Sequence, residues 1–170
     1  MRVVDLFCGC GGMSLGFEKA GYEVIAGYDN WDPAIELYKK NFDHPIIKMD
    51  LFSDEALESI ENYKPDMIIG GPPCQDFSID EPCQTIRGVD RPIPPGYPGH
   101  PADPVELGPN VKALSIQERA YVQTFPLGFK FEGNKTNLNQ MIGNAVPVNL
   151  AKYVANALRE YISTRERIEE

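Results

Sequence analysis

The chain has 170 residues and a formal net charge of −9. This length suits one domain, or one domain with an appendage, and it allows a sizeable buried core. No apolar run approaches the length of a bilayer span and the N-terminus lacks the apolar stretch of a signal peptide, so the sequence predicts a cytoplasmic protein without a membrane partner.

Strands and helices are predicted to alternate through the first 78 residues. The predicted strands cover residues 3–7, 23–28, 46–49 and 66–70. The helices between them begin after the glycine turn of residues 9–12, at Asp32 as N-cap with Pro33 behind it, and at Ser53. Their predicted inward residues are Met13, Phe17, Ala20, Ile35, Tyr38, Phe42, Leu57 and Ile60. This alternation predicts an α/β fold with a doubly wound, largely parallel sheet.

The second half changes character. Prolines cluster between Glu81 and Pro109 without periodicity, which predicts a loop or extended segment. Ser115 and Glu118 form a capping box that predicts a helix to about Thr124. Pro147 opens a last helix, whose predicted apolar face consists of Leu150, Val154, Ala157 and Tyr161.

A stiff turn with one cysteine follows the fourth strand. Gly70-Gly71-Pro72-Pro73 ends an apolar strand and presents Cys74 beyond its carboxyl end, where chemistry collects in open α/β sheets. Cys74 is therefore a candidate nucleophile. The alternative is a buried structural cysteine, but the polar, constrained turn favours the first interpretation. The spacing of the four cysteines is a poor zinc pattern, and no metal is predicted.

Three features indicate a ligand at the carboxyl edge of the sheet. The Gly9–Gly12 turn allows close approach to the backbone. Asp29 lies near the spacing of about 20 residues at which an acidic residue binds ribose hydroxyls, and Asp50 ends the third strand. The third glycine of the dinucleotide fingerprint and a phosphate-loop lysine are absent, so we expect an adenosine-bearing ligand without a polyphosphate. Alternatively, the glycines only make a tight turn and the aspartates cap helices.

Three motifs resemble the DNA cytosine-5 methyltransferases: Asp5 to Gly16, Gly70 to Ser78, and Gln140 to Pro147. Residues 119–126 and 80–86 resemble two further segments of that family. The resemblance implies a Rossmann-like S-adenosylmethionine-dependent methyltransferase that acts on double-stranded DNA, in a restriction–modification setting within a prokaryotic cytoplasm rather than a nucleus. We expect a monomer.

The resemblance also implies roles for single residues. Cys74 would add to carbon 6 of a flipped cytosine and make carbon 5 nucleophilic. Asp29 would hold the ribose of S-adenosyl-L-methionine, and Asn30 stands where the family usually has an apolar or aromatic adenine contact. The cofactor-binding residues would be Phe7, Gly9, Gly11, Gly12, Leu15, Asp29, Asn30, Asp50, Leu51, Pro73, Asn144, Ala145 and Val146.

The chain departs from the family after Ser78. It has no Glu-Asn-Val motif after Cys74 and no Gln/Arg-rich motif, and something like 150 residues of strands and recognition lobe are missing. We predict a cofactor and nucleophile half (1–78), a remnant of the recognition region (79–112) and C-terminal helices (113–170). The sequence is either an incomplete copy of a normal enzyme or an internal-deletion form. The first is favoured, because a deletion would leave the fourth strand as an exposed apolar edge.

Other functions stay open. The missing glutamate and the acidic balance favour a catalytically dead S-adenosylmethionine-binding remnant, because nucleic-acid binders usually carry a basic footprint. A small basic patch remains possible in the second half, with Arg87, Arg91, Lys112 and Arg119. A cytosine-5 RNA methyltransferase is a variant of the main hypothesis. A regulatory fragment has only the proline-rich segment in its favour.

Overall fold

The computed structural model describes residues 1–72 and 114–169, with side chains up to residue 165. Pro73, Cys74 and the proline-rich segment, about which predictions were made from the sequence, lie outside the described residues. Within these residues the elements are β1 (Arg2–Leu6), α1 (Gly12–Lys19), β2 (Glu23–Asp29), α2 (Asp32–Tyr38), β3 (Ile46–Lys48), α3 (Glu55–Asn62), β4 (Met67–Gly70), α4 (Ile116–Val122), α5 (Lys135–Asn144) and α6 (Val148–Glu169).

The described strands form one parallel sheet in the order β3–β2–β1–β4. β1 pairs with β2 on one side and with β4 on the other, and β2 pairs with β3. The chain therefore builds outward from β1 to β3 and then returns to the opposite side of β1. Such a reversal opens a crevice at the carboxyl ends of the strands, where open α/β sheets bind ligands. The predicted doubly wound parallel sheet is confirmed, and its switch point lies between β1 and β4.

Both faces of the sheet are covered by helices. Successive side chains of a strand point to opposite faces, so Val3 and Val4 of β1 enter different clusters. Val3 packs with Phe17 of α1 and Ala155 of α6. Val4 packs with Ile60 of α3 on the other face. The crossover helix α1 and the C-terminal helix α6 thus share one side of β1.

Helix starts differ from the prediction at two places. Trp31, in extended conformation, is the N-cap of α2, and Asp32 is already helical. Asp32 is therefore not the cap; its carboxylate lies 2.6 Å from the Lys48 ammonium. α3 begins at Glu55 and not at Ser53, because the Ser53 N–H donates to the Asp50 carbonyl and extends a turn.

The helices of the second half are locally specified. The capping box is confirmed, since Ser115 Oγ accepts from the Glu118 N–H and Glu118 Oε2 accepts from the Ser115 N–H. α4 ends at Val122, before the predicted Thr124, because Thr124 has a φ of 61°. α5 was not predicted from the sequence; Asn134 caps this helix by accepting from the Thr136 N–H.

The predicted apolar face of α6 is wrong. Its members are exposed: Leu150 by 54%, Val154 by 50%, Tyr161 by 57%, and Ala157 as well. The buried face consists of Val148, Ala151 and Ala155. Small residues form this face because Gly16 of α1 lies so close to Ala151 that a side chain at position 16 would overlap it. Neither α6 nor any other described helix is long and apolar enough to cross a membrane.

One apolar position of α3 is also corrected. Leu57 was predicted to face inward with Ile60, but it is 65% exposed, whereas Ile60 is buried. The buried positions of this helix are Ala56 and Ile60, four residues apart on one face. Leu57 was misassigned because it is the larger apolar residue. The smaller Ala56 beside it is the one that is buried.

The rotation of α6 can be tested with one substitution at two positions of the same helix. We expect Ala155→Glu to lower the free energy of unfolding by about 3 kcal/mol, because it buries a charge without a partner. Ala157→Glu, at an exposed position, should change it by less than about 0.5 kcal/mol. Urea unfolding followed by circular dichroism measures both. Equal losses would contradict the observed orientation of α6.

Candidate functional site

The turn between β1 and α1 lies at the switch point of the sheet. Phe7, Gly9 and Gly11 have φ values of 55°, 54° and 87°, so the chain reverses through left-handed conformations that glycine adopts easily and phenylalanine rarely. The Gly11 N–H donates to the Cys8 carbonyl at 2.8 Å, and the Cys8 N–H donates to the Tyr28 carbonyl of β2 at 3.1 Å. These bonds close the turn and attach it to the neighbouring strand.

Asp29 holds this turn from the end of β2. Its Oδ2 accepts from the Gly9 N–H at 2.8 Å, and its Oδ1 accepts from the Trp31 N–H at 2.9 Å. Each carboxylate oxygen can accept a second hydrogen bond, so further donors can still be bound. Asp29 therefore both fixes the glycine turn and offers acceptor capacity at the sheet edge.

The glycines of the turn also bring distant parts of the chain together. A side chain on Gly11 would overlap the Phe42 ring, and one on Gly12 would overlap the Val146 carbonyl. A Cβ on Gly12 would also lie 3.5 Å from the Ala145 Cβ. Ala145 and Val146 therefore lie directly against the start of α1.

The end of β4 reaches the same place. A Cβ on Gly71 would lie 3.8 Å from the Met13 Cε and 3.9 Å from the Val146 Cγ2. Gly70 lies against β1, where a Cβ would be 3.0 Å from the Leu6 carbonyl oxygen. The exits of β1 and β4 and the segment before α6 thus surround one point of the sheet edge.

Asp50 and its neighbours flank this point beyond β3. Asp50 is exposed, and its Oδ1 accepts from the Phe52 N–H at 3.0 Å. Phe52 is 88% exposed and its ring centroid lies 6.4 Å from that of Phe7. Leu51 packs beside the cluster of Val4, and Asn30 is exposed. This end of the edge therefore combines one carboxylate with two aromatic rings.

Gln123 is a buried polar residue to which the sequence analysis assigned no role. Its Nε2 donates to the Ile142 carbonyl at 2.9 Å and to the Ala145 carbonyl at 3.4 Å. Its own backbone carbonyl accepts from the Val148 N–H at 3.2 Å. Gln123 therefore fixes the loop that carries Ala145 and Val146. The sequence feature that could have identified Gln123 is its position just after the end of a helix and two residues before Phe125-Pro126.

A buried carboxyl lies behind the turn, and the sequence analysis missed it too. Asp5 is fully buried, its Oδ2 accepts from Ser14 Oγ at 2.5 Å, and its Oδ1 has no partner among the described residues. Burial raises the pKa of Asp5 to about 7, although the bond from Ser14 opposes this. A charged residue within an apolar strand, followed by serine in the next helix, was the available signal.

The two described cysteines are not nucleophiles. Burial raises the pKa of Cys8 well above its ordinary value and that of Cys10 to about 12, so both stay thiols at neutral pH. Cys10 Sγ donates to the Met141 carbonyl at 3.6 Å. Among residues 1–72 and 114–169 no group of three His, Cys, Asp or Glu side chains is placed to hold a metal ion.

The structure therefore brings most of the predicted cofactor residues to one edge and separates a few. Leu15 lies one turn into α1 and packs against the cluster that contains Phe42 and Phe125. Asn144 is exposed at the end of α5. Pro73 and Cys74 lie outside the described residues. The residues gathered at the edge are Phe7, Gly9, Gly11, Gly12, Asp29, Asn30, Asp50, Leu51, Ala145 and Val146.

Comparisons with known proteins agree with this arrangement. The family model of C-5 cytosine-specific DNA methylases matches residues 1–88 and 82–160. A type II methyltransferase of Haemophilus influenzae, M.HindV, is 34% identical over 293 residues, covering 93% of this chain and 96% of the relative. M.HgiDI of Herpetosiphon aurantiacus is 30% identical over 296 residues, with 96% of each chain covered. Both alignments are far longer than 170 residues, so a long stretch of each relative faces a gap in this chain.

Two solved structures are similar to just under half of this chain. A mutant of the Spodoptera frugiperda DNMT2 protein shares 27% identity over 46% of this chain and 24% of its own, with a TM-score of 0.40. A prophage-encoded DNA modification methyltransferase of E. coli shares 36% identity over 47% of this chain and 24% of its own, with a TM-score of 0.39. The assignment therefore depends on the family model and the two long alignments: the chain belongs to the C-5 cytosine-specific DNA methylase family.

Proposed function

We propose that the chain transfers a methyl group from S-adenosylmethionine to carbon 5 of cytosine in double-stranded DNA, with Cys74 as the nucleophile. The observation that carries this proposal is the convergence of the β1 turn, the end of β4 and Ala145–Val146 at the switch point of the sheet. Cys74 follows Gly71 by three residues in the sequence.

The groups at the edge fit an adenosine-bearing sulfonium ligand. Asp29, at the end of β2, has carboxylate acceptors for the two ribose hydroxyls. Asp50 offers an acceptor for an exocyclic amine, and the rings of Phe7 and Phe52 offer apolar contacts beside it. Bound S-adenosylmethionine supplies an electrophilic methyl group on a positively charged sulfur. The two carboxylates also suit a cation, since opposite charges attract in a partly desolvated site.

The protein's own part of the chemistry centres on Cys74. The thiolate adds to carbon 6 of the cytosine, and the ring electrons then make carbon 5 nucleophilic. Loss of the proton from carbon 5 and departure of the Cys74 sulfur restore the aromatic ring after the methyl group has been added. The target base has to leave the duplex before this attack.

A second candidate is a catalytically inactive protein that still binds S-adenosylmethionine. It is favoured by the absence of a Glu-Asn-Val motif after Cys74 and by the long gap in both alignments. The glutamate of that motif supports attack by the thiolate in the family that the chain resembles. Cofactor binding by calorimetry without any methyl transfer would select this candidate, and turnover would exclude it.

The biological setting follows from the relatives. M.HindV and M.HgiDI are type II methyltransferases of bacteria. They support a restriction–modification role in a prokaryotic cytoplasm, with double-stranded DNA as substrate. A DNA and an RNA substrate of the same sequence, tested side by side, distinguish this role from RNA methylation. The monomeric state stays a prediction.

Cys74→Ala tests the nucleophile. We expect methyl transfer to DNA, measured with a radiolabelled methyl group, to fall to background, because no other group replaces the thiolate. Binding of S-adenosylmethionine should remain within about twofold of the unaltered protein. Cys83→Ala is the matched control and should keep transfer. Transfer by the Cys74→Ala protein would rule out the proposed mechanism.

Asp29→Asn tests the cofactor site. An asparagine turns its amide NH₂ towards the Gly9 or the Trp31 N–H, so one of the two bonds that hold the turn breaks. Because hydrogen bonds to charged groups contribute about 1.5–3 kcal/mol, affinity for S-adenosylmethionine should fall at least about tenfold in calorimetry. Asp32→Asn, which removes only the exposed pair with Lys48, should leave affinity unchanged. Equal affinities of both variants would contradict the role of Asp29.

A further inference from the structure

A chain of hydrogen bonds leads from the buried Asp5 to the protein surface. Ser14 Oγ bonds to Asp5 Oδ2 at 2.5 Å, and the Tyr38 hydroxyl lies 2.7 Å from Ser14 Oγ. The same hydroxyl lies 2.7 Å from His44 Nε2, and His44 Nδ1 lies 3.3 Å from Glu18 Oε1. Asp5, Ser14 and Tyr38 are fully buried. The chain connects β1, α1, α2 and the loop before β3.

Four contacts in this chain need four hydrogens. Ser14 and Tyr38 supply one each, and a neutral imidazole supplies one. With an ionised Asp5 and a neutral His44, one contact would therefore join two lone pairs. One additional proton completes the chain, either on His44 as imidazolium or on Asp5 as carboxylic acid. In both cases His44 Nδ1 donates to Glu18. In the first case the other three bonds point towards Asp5, and in the second they point away from it.

We propose that Asp5, Ser14, Tyr38 and His44 share one proton, and that this proton holds in place the turn between β1 and α1. When it moves, the Nε2 proton of His44 passes to the Tyr38 oxygen, the Tyr38 proton passes to Ser14 Oγ, and the Ser14 proton passes to Asp5 Oδ2. An imidazolium and a carboxylate become a neutral imidazole and a neutral acid. The number of protons and the total charge stay the same.

The surroundings of Asp5 favour retention of the proton. The Asp5 Oδ1 atom has no partner among the described residues, and an ionised oxygen without a donor is costly in a buried site. Asp29 of β2 faces Asp5 and opposes its ionisation, while His44 favours it. The thiols of Cys8 and Cys10 face the same region and stay neutral. Glu18 of α1 is the charged group that faces His44.

The position of the first link connects the proton to the cofactor turn. Asp5 stands two residues before Phe7, and Ser14 lies in the first turn of α1. The hydrogen bond between Asp5 and Ser14 therefore closes the loop that contains Gly9, Gly11 and Gly12. Loss of the proton leaves one contact of His44 without a hydrogen and leaves Asp5 ionised in a buried site where its Oδ1 has no described donor, and this buried charge disturbs the closure. The four residues are thus positioning residues for the turn, and this part of the inference rests on the proposed cofactor function.

NMR titration of the whole chain tests the shared proton. In the unaltered protein, the ¹³C shift of the Asp5 carboxyl and the ¹⁵N shifts of His44 should change together at one midpoint, as coupled groups do. Tyr38→Phe removes the middle link and should separate the two midpoints by at least one pH unit. Separate midpoints in the unaltered protein would overturn the proposal, and that measurement needs no variant to fold.

Tyr28→Phe is the matched control. Tyr28 is equally buried and its hydroxyl bonds to Ser59 Oγ at 2.9 Å, outside the chain. This variant should keep the single midpoint, and loss of coupling here would also overturn the proposal.

A second readout concerns the turn itself. The dissociation constant of S-adenosylmethionine should increase at least threefold as the pH rises through the shared midpoint. The Tyr38→Phe variant should not show this inflection. A dissociation constant that does not change across the midpoint would overturn the positioning role. Absence of binding at every pH would instead refute the proposed cofactor function, while the NMR titration still decides whether the proton is shared.

Discussion

The close approach of α1 to the segment before α6 is the constraint on which the rest of the structure depends. Gly12 has no side chain, so the Val146 carbonyl lies against the start of α1, and Gly16 admits Ala151 in the same way. Residues from the two ends of the chain thereby meet at the switch point of the sheet. Gly12 and Gly16 thus serve packing, and the role of the glycine turn in ligand access stays a prediction.

Two carboxylates near this contact have opposite environments, and the environment assigns their roles. Asp29 lies at the edge and accepts from two backbone N–H groups, which leaves it able to bind a ligand. Asp5 lies in the core with a hydroxyl donor on one oxygen only, and its pKa is raised to about 7 by burial. Asp29 is the last residue of β2 and Asp5 is the last but one of β1, yet Asp29 is partly exposed whereas Asp5 is fully buried.

The features that could be predicted from the sequence are those that a few neighbouring residues specify. The apolar strands, the glycine turn and the capping box of Ser115 and Glu118 were recognised because each is specified by adjacent residues. Periodicity selected the wrong face of α6, because the face packed against α1 includes small residues: Gly16 of α1 lies against Ala151, and Ala155 is also buried. α5 was missed because its apolar residues, Leu138, Met141 and Ile142, cover only about one turn of an otherwise polar segment. The role of Asp5 depends on contacts with distant residues, which no local pattern contains.

Two neighbouring surfaces are uncovered among the described residues: the apolar stripe of α6 and the outer edge of β4. Met67 and Ile69 of β4 pack against the cluster of Ala155, so β4 and α6 are neighbours. The apolar positions 150, 154, 157 and 161 alternate spacings of four and three, which is typical of a helix face packed against another element. The two family matches meet at residues 82–88, after β4, and the alignments with the longer relatives exceed the length of this chain. The exposed apolar positions of α6 and, among the described residues, the outer edge of β4 are both surfaces that a folded protein normally covers with further chain.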